Sequence, residues 1–167
     1  MRNARIAKRE IPMKVPEIDN VDRKILRLLQ SEGDLSHAAL AERVGASSAS
    51  CWRRIKALEA AGMLGPTVRL VRPEAVGRGL TVFCQVRMKT HDPVARGDFE
   101  RFVESHEEVL ECYSMSGDWD YLLRVAVTDV EDYERLLMQG ILTHHAVATS
   151  SSHFALKRVK YSTSVPV

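Results

Sequence analysis

Cysteine is scarce: three occur in 167 residues, Cys51, Cys84 and Cys112, and no two stand in a C-x-x-C pair. The odd count and wide spacing exclude a disulfide scaffold and suit reduced thiols in a cytoplasm. Long apolar runs are missing as well. None approaches the ~18 residues of a membrane span, and the first residues lack the apolar stretch of a secretory leader. Catalytic signatures are also missing, with no G-x-S-x-G, no P-loop and no H-E-x-x-H. What is present is the composition of a soluble globular protein, 45% hydrophobic and 28% charged. The chain is long enough for one domain or for two small ones with separate cores.

The net charge of +2 conceals an asymmetry. Residues 1–72 carry 14 Lys and Arg against 8 Asp and Glu, a net of +6, which leaves −4 for residues 73–167. A basic half joined to an acidic half points to a polyanion met by the first half alone. Residues 1–17, MRNARIAKREIPMKVPE, are basic, hold two prolines and show little apolar periodicity. They read as a flexible arm, either a solvated tail or a brush against DNA phosphates. Met13 is an alternative start of translation.

Three short helices are expected over residues 18–66. In IDNVDRKILRLLQSEG, Asp19 is a good N-cap, Val21, Ile25, Leu28 and Leu29 mark one face, and Gly33 ends the run. SHAALAERVG follows, with Ser36 as N-cap, Ala39, Leu40 and Val44 inward and Gly45 as the stop. SSASCWRRIKALEAAG is the third, opened by Ser47 and closed by Gly62. Only "GAS" joins the second helix to the third, so the two must cross steeply, as in a helix-turn-helix.

At about 100° per residue, Cys51, Ile55 and Leu58 form the buried stripe of the third helix. Ala49, Ser50, Arg53, Lys56 and Ala57 point outward, and Trp52 and Arg54 flank the stripe. Small residues let the first turn approach base edges, and the cations bind phosphate or guanine. A solvated surface helix more often mixes Glu with Lys at i, i+4, yet Glu59 is the only acid here. The face therefore suits a major groove, with Ser47, Ser48, Ser50, Trp52, Arg53, Arg54 and Lys56 as candidate DNA contacts.

After a turn at Gly65-Pro66, a short strand over Thr67–Val71 and a Pro/Gly-punctuated hinge fill residues 67–79, with the domain boundary between 73 and 79. The second half changes period. LTVFCQVRMK alternates as a strand. DPVARGDFERFVESH is a helix with Phe99, Phe102 and Val103 inward. EVLECYSM and DYLLRVAV are strands joined by SGDW. TDVEDYERLLMQG opens with a capping box of Thr128 and Glu131 and turns Val130, Tyr133, Leu136 and Leu137 inward. VATSSSHFALKRVKY is a last, long strand. The order βαββαβ over residues 80–161 is ferredoxin-like, followed by a tail at 162–167. The fold class is α+β, a winged helix-turn-helix linked to a ferredoxin-like domain. Its helix-free sheet face mixes apolar and polar groups, which suits pairing with a second subunit.

These parts together resemble the Lrp/AsnC family of bacterial and archaeal transcription regulators. The likeness runs from about Ile18 to Pro166. It is carried by IDNVDRKILRLLQ, LAERVGAS, C-x-x-R-I-x-x-L-E and SGDWDYLL, in that order and at family spacing. The ending FALKRVKYSTSVP resembles one branch, which includes regulators of amino-acid catabolism and cysteine handling. The resemblance implies double-stranded DNA as a partner, dimers through the C-terminal domain, and tetramers or octamers built from them. It also implies a small effector, usually an amino acid, bound at a subunit contact, with no cofactor. Carried over residue by residue, the effector loop is Ser116, Gly117, Asp118, Trp119, Asp120 and Tyr121, with Ser150 and Ser152 of the last strand close by.

The loop has its own chemistry. Gly117 lets backbone N–H groups approach a carboxylate, and Asp118 or Asp120 can accept hydrogen bonds from an ammonium. The bland alternative is a hairpin turn with solvated acids. Two departures from the family stand out: His144-His145-Ala146-Val147 replaces Leu-Pro-Gly-Val at the second helix exit, and Glu107 replaces a common Pro at the first. Adjacent histidines rarely share a metal without further ligands, so no metal is expected. The rival functions are an enzyme, using Asp118 with Asp120 or Cys112 with a histidine, and a protein-interaction module without DNA binding.

Overall fold

Asp19 opens the first helix, its carboxylate accepting the N–H groups of Val21 and Asp22 at 2.8 Å, while Asp22 reaches back to the Asp19 N–H. In the computed structural model, which describes residues 17–167, helix α1 then runs over Asn20–Ser31. The basic arm and Met13 lie outside the described residues, Glu17 apart. Ser36 caps α2, His37–Val44, which ends on Gly45 in the left-handed region at φ 73°. A Cβ there would be strained, so glycine is what allows the tight turn. Ser47 caps α3, Ser48–Ala60.

The described residues divide into two units, one of residues 17–69 with 160–167 and the other Leu70–Val159. The first has its own core, in which Ile25 and Leu26 of α1, Leu40, Ala41 and Val44 of α2, and Cys51, Ile55 and Leu58 of α3 are buried. The expected stripe of α3 is the observed one. On α1 Leu26 is buried beside the expected Ile25, and Val21, Leu28 and Leu29 are only partly covered.

In the second unit, a single 3-10 turn at Pro73–Val76 leads into strand β1, Leu80–Met88. Helix α4, Pro93–Ser105, is capped by Asp92 and followed by β2, Val109–Ser114, and β3, Tyr121–Val127. Helix α5, Val130–Leu136, passes into a wider turn at Leu137–Ile141, and β4 spans Val147–Phe154. The sheet order is β2-β3-β1-β4, antiparallel throughout. Val82, Cys84, Val86 and Met88 alternate onto the covered face and pack with Phe99, Val103, Tyr121, Tyr133 and Ile141. This is the α+β arrangement of a helix-turn-helix unit followed by a ferredoxin-like βαββαβ unit.

Three local expectations are corrected. Thr67–Val71 forms no strand: Val68, Leu70 and Val71 are exposed and pair with no strand among the described residues, and a strand exists only by its hydrogen-bonded partner. β4 stops at Phe154 rather than continuing to Tyr161, because its partner β1 begins at Leu80 and offers no ladder beyond the Ala155 N–H to Thr81 bond. The cap of α5 is Asp129, not Thr128 with Glu131. Asp129 accepts the Asp132 N–H at 2.8 Å, and Asp132 accepts from both the N–H and hydroxyl of Thr128 at 3.1 Å. Arg78 and Arg135 pair with the same carboxylate, which makes the residue at 132 the stronger partner. Val130, expected inward, is exposed.

Candidate functional site

Helix α3 presents the cationic face. The Ser47 hydroxyl accepts the Ser50 N–H at 3.2 Å and so holds the first turn. Ser48 is exposed, Ser50 half-buried and Trp52 52% exposed. Arg53 is exposed and forms no ion pair among the described residues. Lys56 pairs with Glu59 at 2.7 Å, both exposed; such pairs are worth little in water.

Arg54 is different. It is half-buried, and its Nη1 lies 2.8 Å from both Asp19 and Asp22. The Asp22 hydrogen bond, then that of Asp19, raises the guanidinium's pKa. The Asp19 carboxyl is held below its usual range by the Asp22 N–H first and by Arg54 after it. Arg54 therefore ties α3 to the start of α1. The outward face is left to Ser48, Ser50, Trp52, Arg53 and Lys56.

The second region is the loop between β2 and β3. Gly117 sits at φ 109°, a conformation that side chains rarely adopt. Asp120 is buttressed on every side: its N–H donates to Val86 O at 3.0 Å, its carbonyl accepts the Met115 N–H at 2.8 Å, and its carboxylate accepts the Met88 N–H at 2.8 Å. His91 Nδ1 lies 3.2 Å from its other oxygen. Tyr121 is 1% exposed, and its hydroxyl meets Arg96 and Glu100 at 3.2 and 3.1 Å. Asp120 and Tyr121 thus hold the loop, whereas Ser116, Gly117 and Asp118 are exposed and Trp119 half-exposed. Of the two acids, Asp118 has the open carboxylate.

Strand register relates β4 to this loop. Ser150 lies opposite Val86, which lies opposite Tyr121; Ser152 is two rows further along, with Cys84 and Leu123. The Ser152 hydroxyl meets that of Tyr133. Ser150 is in line with the loop exit but separated from it by β1, about 10 Å at the usual strand spacing.

Sequence reasoning passed over two residues that shape the loop. Arg87 donates from Nε to Asp118 O at 2.9 Å, and its guanidinium lies 5.0 Å from the Trp119 ring centre. His91 steadies Asp120. Alternation along β1 does place Arg87 on the helix-free face, but only pairing of β1 with β3 brings the loop beside it. A cavity of about 200 Å3 lies elsewhere, lined by residues that include His106, Asp132, Arg135 and Gln139. The loop itself is an open surface of one chain. Among the described residues, no group of three His, Cys, Asp or Glu side chains could hold a metal, and no helix is long and apolar enough to cross a membrane. Burial pushes the Cys84 thiol up, away from nucleophilic use.

The histidines at the second helix exit join an aromatic cluster. Ring centroids of Phe99 and Phe102 lie 5.5 and 5.2 Å from that of His144, and His145 stacks on it at 4.7 Å. Burial pushes the His144 imidazole below the usual 6.5, with His145 adding to the effect and Asp98 opposing it. The unfolded chain therefore takes up this proton more readily than the folded one. The stability involved is complete above about pH 6.5 and drains as the pH falls below that value. Thermal unfolding at about pH 7.5 and about pH 5.5 checks this: the wild type should lose more stability over the interval than His144→Phe.

Comparison with known proteins agrees with this geometry. A winged helix-turn-helix DNA-binding domain matches residues 18–64, and the Lrp/AsnC ligand binding domain matches residues 81–165. The DNA-binding transcriptional activator DecR of Escherichia coli is 37% identical over 150 residues, covering 90% of this chain and 99% of that protein. The leucine-responsive regulatory protein of the same organism is 33% identical over 146 residues, covering 87% and 89%. A transcriptional regulator from Neisseria meningitidis, solved in complex with L-Met, superimposes with a TM-score of 0.86 at 39% identity, covering 90% of this chain and 97% of the other. With a basic helix-turn-helix on its own small core and a ferredoxin-like unit carrying the SGDWD loop, the chain belongs to the Lrp/AsnC family of DNA-binding transcriptional regulators with a ligand-binding domain.

Proposed function

We propose that this regulator reads DNA through Ser48, Ser50, Trp52, Arg53 and Lys56, and that an α-amino acid bound at Ser116–Trp119 sets its assembly or its DNA affinity. Arg54 and the Ser47 hydroxyl position α3 rather than touch DNA. In the effector site, N–H groups around Gly117 meet the carboxylate and Asp118 accepts from the ammonium. A second subunit closes the site, which fits the open surface the loop presents in one chain. The chain pairs through the helix-free sheet face, where Phe83, Tyr113 and Leu122 lie among polar neighbours, and the dimers build larger assemblies. The protein works in the cytoplasm, as three cysteines outside any disulfide suggest, and carries no catalytic activity of its own.

The observation that carries the effector reading is the division of labour between the two loop acids. Asp120 is anchored to β1, while Asp118 is exposed beside a left-handed glycine. The structural relative bound to L-Met supports an amino acid as the class. A thermal-shift panel of the twenty amino acids tests it. An effector at ~100 times its dissociation constant should stabilise the protein by about 2.7 kcal/mol, read as a rise of several degrees. Asp118→Ala should remove that rise and leave the ligand-free melting temperature unchanged. A flat panel, or a rise that survives Asp118→Ala, refutes this site.

A further inference from the structure

We infer that residues 160–167 form a strap that docks on α1 and gives the DNA-binding unit a second, non-covalent tether to the rest of the chain. The polypeptide leaves the first unit at Arg69 and returns to it at Lys160. Gln30 clasps Val165 with both ends of its amide: Oε1 accepts the Val165 N–H at 2.6 Å, and Nε2 donates to Val165 O at 3.2 Å. Nearly one turn earlier on α1, Arg27 donates from Nε and Nη2 to the Val167 carbonyl oxygen at 3.1 and 2.6 Å. The Val167 side chain packs against the apolar core of the three helices. Pro166 stands between the two clasped residues and has no N–H to leave unpaired.

Four hydrogen bonds and an apolar anchor fix this segment to one helix. The helix they fix is also the one whose Asp22 holds Arg54 of the recognition helix, at 2.8 Å. The strap therefore bears on α1, and α1 bears on α3. Its other end continues from β4, the strand that carries Ser150 and Ser152. A unit held by two chain crossings has less freedom to lose when it docks on DNA than a unit held by one, and this preorganisation favours binding. The strap is independent of the effector reading, since it needs no ligand.

Gln30→Ala and Val165→Pro open the clasp from opposite sides. Neither changes the charge, so the attraction to phosphate is the same in both. The DNA probe is a duplex recovered from a random library by the wild-type chain. In the wild type the Val165 amide should be protected from hydrogen exchange, and in Gln30→Ala it should exchange at the rate of an open chain. Both variants should bind the duplex about three- to tenfold more weakly, with unchanged helical circular dichroism. An unprotected Val165 amide in the wild type, or wild-type affinity in either variant, overturns the proposal.

Discussion

Arg53→Ala should weaken binding to a duplex selected by the wild-type protein by about 1–3 kcal/mol. The side chain is exposed, stands on the outward face of α3 and pairs with nothing among the described residues, so its removal breaks no ion pair among them. Electrophoretic or anisotropy titrations against single-base variants of the duplex distinguish two roles. Relaxed preference at one position assigns Arg53 to a base edge, whereas a uniform loss with a reduced salt slope assigns it to a phosphate. Arg54→Ala supplies the contrast. Its guanidinium holds Asp19 and Asp22, so the first loss should be in stability of the N-terminal unit. That loss should be about 1 kcal/mol, because the cluster is partly solvated.

Phe99→Ala should cost about 3–5 kcal/mol of stability in the C-terminal unit. The ring is fully buried, with Tyr121, Phe102 and His144 centred 5.0, 6.1 and 5.5 Å away. None of those rings can collapse into the space without breaking its own contacts, and Tyr121 would lose the support that seats its hydroxyl against Arg96 and Glu100. Urea denaturation measures the effect. Because the two units have separate cores, the variant should show an early transition for the sheet unit and an unshifted one for the helical unit. A single shifted transition would mean that the two units unfold together.

Caps and periodicity made most of the fold legible. Asp19, Ser36 and Ser47 cap helices as their side chains require, and the stripe Cys51, Ile55 and Leu58 is buried as its spacing dictates. These features rest on interactions no more than four residues apart. The misses have a different physical origin. Thr67–Val71 forms no strand, because a short segment cannot by itself supply a hydrogen-bonding partner. The last strand was overextended because its length is set by β1, more than sixty residues earlier in the chain. The α5 cap fell one residue away from Thr128 because Arg78, distant in sequence, reinforces Asp132.

The candidate sites divide along the same line. By itself the sequence determined which helix is cationic, which loop combines glycine with two acids, and that the chain is built as a helix-turn-helix followed by βαββαβ. Each of those rests on local spacing. Tertiary structure decided what the charged groups do. Arg54 meets Asp22 across 32 residues, Asp120 meets the Met88 N–H across 32, and Gln30 meets Val165 across 135. A side chain's availability to a ligand depends on whether the fold has already given it a partner, and such partners are placed by packing and strand register rather than by neighbours in sequence.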